Sequence, residues 1–228
     1  ALEGAAKFLS KTVKEYDDGT MLVYNSKSPE NGINNVYVQS VGTAFDQEMV
    51  YANHLATKLA AEKLGYTAAD APILTTIDQQ IHKLDPVKIG YSGQVKEYRE
   101  ENYYGEYGEK AHRHISQLVG VYPATLINGN TDAWLDAAAV SLENRGYTNI
   151  AWGVIHRMLC WARIQDGEQA YEELQLMMKQ HLGYSLLSNY NDRTNPAKKS
   201  NDPFQIEANF GYTAAVAEML VQSQAGYI

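Results

Sequence analysis

Residues 132–182, DAWLDAAAVSLENRGYTNIAWGVIHRMLCWARIQDGEQAYEELQLMMKQHL, decide the fold class of this chain. Apolar residues recur there at helical spacing, interrupted only at 146–149 and 165–167. The predicted helices are 132–145, 150–164 and 168–182. Links as short as these imply that successive helices are antiparallel neighbours.

The rest of the chain shows the same periodicity and no sustained alternation of apolar and polar residues. Thr43 and Asp46 have the spacing of a capping box, and Gly65 is a typical helix end. The further predicted helices are 2–16, the segment between Thr43 and Gly65, 73–84 and 212–223. We therefore predict an all-α fold class without strands.

Composition excludes several classes of protein. The 228 residues carry 27 acidic and 19 basic side chains, a net charge of −8, and 45% apolar residues, which is typical of a globular chain. No apolar run reaches the length of a bilayer span, so no membrane association is expected. No basic cluster is longer than Lys198-Lys199, so no nucleic-acid partner is expected. The single Cys160 excludes an internal disulfide and an all-cysteine zinc site.

Three connections are unusually long, namely 21–42, 87–111 and 183–210. Loops of this length inside a compact domain are uncommon and are usually functional or disordered. We expect ordered loops that face a ligand at one end of a helical array. The chain also has 17 tyrosines against four phenylalanines, which suits a wet groove that stacks flat ligands; a helical core with wet edges is the alternative interpretation.

The loop 87–111 places glutamates among tyrosines. The residues concerned are Glu97, Glu100, Glu101 and Glu106 with Tyr98, Tyr103, Tyr104 and Tyr107. Aromatic walls desolvate a carboxylic acid and raise its pKa, which prepares the acid to donate a proton. For any one of these glutamates, a solvated acidic loop is the alternative interpretation.

Two histidines follow this loop. His112 and His114 are two residues apart, which puts them on opposite faces of a strand or splays them around a helix. Zinc would need a third and a fourth ligand at a recognisable interval, so neither a metal nor another cofactor is expected. We favour histidines that reach sugar hydroxyl groups, with Arg113 ion-paired nearby.

The segment before the last predicted helix alternates polar and apolar residues. Glu207 and Asn209 stand between Ile206 and Phe210, and this alternation can turn both polar side chains toward a common cavity. The alternative is that Asn209 caps the helix, which leaves Glu207 unexplained.

Several motifs, taken in order, resemble a known family. They are SPEN at 28–31, GQVKEY at 93–98, HRHIS at 112–116, PFQIEANFG at 203–211 and AEMLVQS at 217–223. The chain resembles glycoside hydrolase family 95 over essentially all 228 residues. That family comprises α-L-fucosidases, typically acting on α-1,2-linked fucose, and related α-L-galactosidases.

The resemblance implies part of an (α/α)6 barrel whose long loops form a sugar pocket. It implies that Glu97 is the general acid and that Glu207 is the carboxylate on the base side of an inverting mechanism. Inversion requires these carboxylates to lie about 6.5 to 9.5 Å apart, with a water between base and sugar. The resemblance also implies that His112 or His114 and Glu30 bind sugar hydroxyl groups, and we expect Asn209 to line the same pocket.

The chain departs from the family pattern at three positions. Tyr98 replaces the usual Trp, Gln117 replaces a usual His, and Glu207 replaces Asp. The extra methylene at 207 could move the carboxylate by roughly 1 Å, a shift able to cost on the order of 100-fold in rate.

The family's water-positioning asparagine pair, N-terminal β-sandwich, first barrel helices and C-terminal β-domain are expected to lie outside residues 1–228. The chain then corresponds to the later part of the barrel, with the missing portion of the same enzyme as a possible partner.

The leading hypothesis is a glycosidase that cleaves terminal α-L-fucosyl residues from oligosaccharides or glycans with inversion. The alternative is a carbohydrate-binding helical module without catalysis. A helical-repeat scaffold is disfavoured because no self-similarity of 34 to 47 residues appears. The resemblance favours a secreted or periplasmic location, and it leaves fucose and L-galactose open.

Overall fold

A computed structural model of the chain describes residues 1–33, 36–198 and 202–226. The chain divides into two compact units, Ala1–Gly108 and Glu109–Ile228. The first unit contains α1 Leu2–Leu9, β1 Val13–Glu15, β2 Met21–Val23, β3 Gly32–Ile33, β4 Val36–Tyr37, α2 Ala44–Leu64 and α3 Ile73–Ile81. The second unit contains α4 Asp132–Arg145, α5 Ala151–Ile164, α6 Gly167–Leu176 and α7 Ile206–Leu220.

Helices dominate both units, which confirms the predicted fold class. The helix predicted to end at Gly65 does so, because Gly65 adopts the left-handed conformation with φ of 68°. Helix α4 has the predicted bounds, and α5 begins one residue later than predicted. None of the described helices is both long and apolar enough to cross a bilayer.

The prediction of an uninterrupted first helix and of no strands is wrong. Helix α1 ends at Leu9, and β1 then pairs antiparallel with β2, with Val13 opposite Val23. Val13 and Val23 are buried with Val50 of α2 and Leu84, so burial against α2 outweighs the helical pattern of this segment. A second short hairpin joins β3 to β4.

A buried glutamine fixes the β1–β2 hairpin to α2. Gln47 Oε1 accepts a hydrogen bond from the Val23 N–H at 2.7 Å, and its Nε2 donates to the carbonyl groups of Met21 and Asp85. The prediction of a capping box at the start of α2 is wrong, because the Thr43 side chain does not cap the helix. Instead, the Thr43 N–H donates to Ser26 Oγ at 3.0 Å.

Helices α1 and α3 pack against α2 and against each other. Ala6 of α1 is buried against three isoleucines of α3, namely Ile73, Ile77 and Ile81. Helix α3 ends at Ile81, earlier than the predicted end at 84.

Helix α5 is the centre of the second unit. Its residues 153–163 are all buried, and it packs against α6 and α7. Arg163 of α5 and Glu218 of α7 form a two-point ion pair, with N to O distances of 3.1 and 2.9 Å. Helix α6 ends earlier than predicted, at Leu176, and a single wider helical turn, Met177–His181, follows it.

The predicted start of the last helix is wrong. Helix α7 begins at Ile206 rather than near 212, so Glu207 and Asn209 lie within the helix. Gly211 permits this arrangement because it faces α5 closely: a Cβ atom at 211 would lie 2.2 Å from Ile155 Cγ2. The absence of a side chain therefore sets the distance between α7 and α5.

We expect Gly211→Ala to lower the free energy of unfolding by about 1–3 kcal/mol, because the added methyl overpacks the contact with Ile155. The matched control is Gly167→Ala in α6, where a Cβ atom would meet nothing within 4 Å. Urea denaturation followed by circular dichroism measures both variants. A Gly211→Ala variant as stable as the wild type would contradict the packing described here.

Candidate active site

The carboxyl group of Glu97 lies in a cradle of neutral hydrogen-bond donors in the first unit. The residue is only 5% exposed. Ser28 Oγ donates to Glu97 Oε1 at 2.5 Å, and Asn31 Nδ2 donates to Glu97 Oε2 at 2.9 Å. The SPEN and GQVKEY motifs, which are more than 60 residues apart in sequence, therefore meet at this carboxyl group.

The main chain of Glu97 is held on both sides. Its carbonyl oxygen accepts the N–H of Ala44, the first residue of α2, at 3.2 Å. Its N–H donates to Glu101 Oε2 at 3.1 Å. Because the start of α2 is itself fixed by Ser26, the position of Glu97 follows from the packing of α2.

Two tyrosines of the loop that carries Glu97, Tyr98 and Tyr107, pack against each other. Tyr98 is fully buried and donates its hydroxyl hydrogen to the Asn31 carbonyl group at 2.9 Å. Its ring centroid lies 5.9 Å from that of Tyr107. Tyr103 instead is exposed and packs against Tyr91. Tyr98 is therefore buried in the Glu97 loop and Tyr103 lies against Tyr91. That tyrosine rings desolvate the Glu97 carboxyl group stays a prediction.

Glu101 is the most buried glutamate of this loop, at 2% exposed. Burial raises the pKa of its carboxyl group, and the nearby Glu97 carboxylate acts in the same direction. Hydrogen bonds from the N–H groups of Gly105, Glu97 and Tyr98 lower this pKa and only partly offset the effect of burial. The alternative of a solvated acidic loop is therefore wrong for Glu97 and Glu101, and it fits the exposed Glu106.

The two histidines lie together in the second unit. Their ring centroids are 5.2 Å apart, and the His114 N–H donates to His112 Nδ1 at 3.2 Å. The prediction of opposite faces or a splayed pair is wrong because residues 112–114 form neither strand nor helix. His112 is buried and His114 is half-buried.

Two buried arginines hold the main chain of the histidine segment. Arg157 donates to the carbonyl groups of His112 and Arg113 at 3.2 and 2.9 Å. Arg145 donates to the His114 carbonyl group at 3.0 Å. Gly153 makes room for this contact, since a Cβ atom there would lie 2.7 Å from the Arg113 carbonyl oxygen.

A buried carboxyl group lies close to Arg157. Burial raises the pKa of Glu173 to about 7, Arg157 lowers it in part, and Glu172 raises it further. One oxygen of Glu173 is buried without a hydrogen-bond partner. A pKa of about 7 places the change in charge of Glu173 near neutral pH.

The first turn of α7 carries the other predicted pair. Glu207 is exposed. Asn209 accepts hydrogen bonds from Ser188 N and Oγ, both at 2.9 Å, and donates to the Leu186 carbonyl group at 2.8 Å. Two residues apart on a helix point in nearly opposite directions, so the predicted common orientation of Glu207 and Asn209 is wrong.

The proposed cap is wrong as well, because Gln205 is the residue that precedes α7. The role of Asn209 toward a sugar stays a prediction, since its amide already joins α7 to the 186–188 turn.

A cavity of about 570 Å³ opens beside His112 in the second unit. Its lining includes His112, Arg113, Asn149, Gln180 and Asp192. This size and a lining of hydrogen-bonding groups suit a small polar ligand. Within the described residues, no group of three or more His, Cys, Asp or Glu side chains could hold a metal ion.

Glu30 lies in sequence between Ser28 and Asn31, the two residues that donate to the Glu97 carboxyl group, and it is exposed. Its contact with sugar stays a prediction. Sequence reasoning missed the partners of the site. Ser28 and Asn31 were present in a recognised motif without an assigned role. Arg145, Arg157 and Glu173 gave no signal, because single charged residues within amphipathic helices resemble a solvent face.

Comparisons with known proteins agree with the family resemblance. A family model described as the glycosyl hydrolase family 95 catalytic domain matches residues 1–220. A protein named "Probable alpha-fucosidase A" from Aspergillus oryzae is 36% identical over 213 residues, which cover 89% of this chain and 28% of that protein.

Two further relatives give the same result. A protein of the same name from Aspergillus niger is 30% identical over 97% of this chain and 28% of its own length. "Alpha-L-fucosidase 2" from Arabidopsis thaliana is 32% identical over 97% of this chain and 26% of its own length. The chain thus spans little more than a quarter of the length of these relatives.

We expect Glu173→Gln to change the pH dependence of stability. A folded-state pKa of about 7, above the usual value for Glu, means that ionisation of Glu173 opposes folding. The stability of the wild type is therefore unaffected by Glu173 below about pH 4.5 and decreases as the pH rises through 7. The variant should gain on the order of 3 kcal/mol relative to the wild type between pH 5 and pH 8.

Burial lowers the pKa values of His54, His156 and His181, so these histidines reduce stability as the pH falls, whereas Glu173 reduces it as the pH rises. The quantity to measure by urea denaturation is therefore the difference in unfolding free energy between variant and wild type. Glu168→Gln, exposed on the same helix, is the control and should keep the wild-type slope. A constant difference for Glu173→Gln across this range would refute the assignment.

Proposed function

We propose that the protein hydrolyses terminal α-L-fucosyl bonds of oligosaccharides or glycans, and the premise is that this chain belongs to glycosyl hydrolase family 95. The 228 residues then form part of an (α/α)6 catalytic barrel. The relatives named as fucosidases support fucose as the sugar, and an α-1,2 linkage follows from the family resemblance. The asparagine pair that positions the water would come from sequence outside these residues.

The observation that carries this proposal is the cradle around Glu97. A general acid must be fixed in orientation and shielded from water so that its proton is aimed at the leaving oxygen. Two neutral donors hold the carboxyl oxygens, and two main-chain hydrogen bonds hold the residue itself. A solvated surface glutamate has no such set of contacts.

In the proposed reaction Glu97 donates its proton to the glycosidic oxygen as the bond to the anomeric carbon breaks. A water attacks that carbon from the opposite face, and Glu207 accepts the proton of the water. His112, His114 and Glu30 would bind sugar hydroxyl groups.

The cavity of the second unit supports a sugar ligand. Arg113, Asn149, Gln180 and Asp192 offer donors and acceptors at its wall, and a sugar ring presents hydroxyl groups that need both. The buried arginines fix the main chain of the adjacent His112, so this part of the wall is preorganised.

A carbohydrate-binding module without catalysis is the second candidate. The observation that favours it is the engagement of Asn209 with Ser188 and Leu186, together with a longer side chain at 207 than the family has. Calorimetric titration with fucose and an assay with an aryl α-L-fucoside separate the two candidates, because a module binds fucose without releasing the aryl group.

We expect Glu97→Gln in the full-length protein to lower kcat on an alkyl α-L-fucoside by about 10²- to 10⁴-fold and to leave fucose binding within about threefold, because the amide keeps the shape of the acid but cannot protonate the leaving oxygen. The exposed Glu106→Gln serves as the control. Steady-state kinetics and calorimetry give the two numbers. Unimpaired turnover by Glu97→Gln would exclude the assignment.

We expect Glu207→Gln to lower kcat by about 10²-fold or more for an aryl fucoside, because an amide cannot accept the proton of the attacking water. Glu218 lies on the same helix but is paired with Arg163, so the exposed Glu168 is the better control. Proton NMR of the first-formed fucose anomer tests inversion. A retained anomer, or wild-type turnover by the variant, would contradict the role of Glu207.

A further inference from the structure

The side chain of Glu101 accepts three hydrogen bonds from the main chain of the loop that carries Glu97. Its Oε2 accepts the N–H of Glu97 at 3.1 Å and the N–H of Tyr98 at 3.5 Å. Its Oε1 accepts the N–H of Gly105 at 2.7 Å. Both oxygens are thus used, and all three donors are main-chain groups.

We propose that Glu101 is a positioning residue that fixes the main chain of Glu97 so that the carboxyl group of Glu97 is aimed at the leaving oxygen of the substrate. The proposal rests on the general-acid role of Glu97. Glu101 contacts no reacting atom in this arrangement, and it acts only through the peptide groups at 97 and 98.

The neighbouring contacts show why this one matters. The Glu97 carbonyl group is bonded to Ala44 and the carboxyl group is bonded to Ser28 and Asn31. These contacts hold the residue from the carbonyl side and from the side-chain end. The hydrogen bond to Glu101 holds the N–H side, so its loss frees rotation of the Glu97 peptide against the cradle.

A glutamine at 101 cannot replace the carboxylate. The three N–H groups approach both oxygens of Glu101, and an amide NH₂ would face N–H groups at one of them, where donor meets donor. A shift of about 1 Å at a reacting group can cost on the order of 100-fold in rate. The expected loss is therefore in the proton transfer from Glu97.

Glu106 supplies a matched control within the same loop. Its Oε2 also accepts a main-chain N–H, that of Asn102, at 2.6 Å. Unlike Glu101 it is exposed, and the hydrogen bond that it accepts comes from Asn102 rather than from the main chain of Glu97 or Tyr98. A variant at 106 changes the same kind of interaction without touching the proposed acid.

The leaving group of the substrate provides the test. An alkyl α-L-fucoside needs protonation of the departing oxygen, whereas α-L-fucosyl fluoride departs with little help from an acid. The full-length protein, Glu97→Gln, Glu101→Gln and Glu106→Gln are compared on both substrates by steady-state kinetics. Thermal unfolding of each variant is recorded alongside.

We expect Glu101→Gln to lower kcat on the alkyl fucoside by about 100-fold with KM within about threefold, and to lower kcat on the fluoride by less than about 10-fold. Glu106→Gln should match the wild type on both substrates. A purely structural role would lower both activities of Glu101→Gln in proportion, and this outcome would overturn the proposal.

The two proposals fail in different ways. If Glu97→Gln loses activity equally on both substrates, Glu97 is not the acid and the proposed function fails first. If Glu97→Gln depends on the leaving group and Glu101→Gln does not, only the positioning role fails. Should Glu101→Gln not fold, Glu101→Asp takes its place, because it keeps both oxygens and the charge on a shorter side chain. A larger loss of kcat on the alkyl fucoside than on the fluoride then supports the positioning role, and equal losses overturn it.

Discussion

The long loops of this chain depend on buried charged side chains that satisfy main-chain groups. A buried peptide group without a hydrogen-bond partner is costly, and a loop lacks the ladder that pairs such groups in helices and sheets. Glu101 accepts three N–H groups of the acid loop. Arg157 and Arg145 donate to three successive carbonyl groups of the histidine segment. Ions of opposite sign thus serve the two kinds of main-chain group.

Burying a charged side chain costs free energy, and nearby hydrogen bonds can offset this cost. Moving a charge out of water is unfavourable unless hydrogen bonds replace the water. Arg157 is 1% exposed and reaches four carbonyl oxygens, those of residues 112, 113, 146 and 153. Glu173, in the same region, has an oxygen without a partner and a raised pKa. The arginine is therefore well compensated and the glutamate is not.

How much the sequence could predict depends on whether a local signal decides the structure. Helix α4 and the end of α2 were predictable because Gly146 and Gly65 stop them. Helix α1 was overestimated because Val13 pairs with Val23 across the hairpin, a partner that no local pattern reveals. The start of α7 was missed because a glycine at 211, usually a helix breaker, is required by the close contact with Ile155.

The site follows the same rule. Glu97 was reached through a motif resemblance, because its loop composition alone favoured a solvated glutamate. Its partners Ser28 and Asn31 lie in another motif, and only the folded chain joins the two. Glu101 differs from its acidic neighbours in burial rather than in sequence, so no spacing rule distinguishes it from Glu100 or Glu106.

The two proposed catalytic carboxylates differ in how firmly they are held. Glu97 is fixed by its cradle, whereas Glu207 is exposed on the first turn of α7, and no described residue forms a hydrogen bond or ion pair with its side chain. The cradle suits the proposed role of Glu97, because an acid must point its own proton along a lone pair of the leaving oxygen. The extra methylene relative to the family pattern thus falls on the less firmly held carboxylate, where a shift of roughly 1 Å can cost on the order of 100-fold in rate.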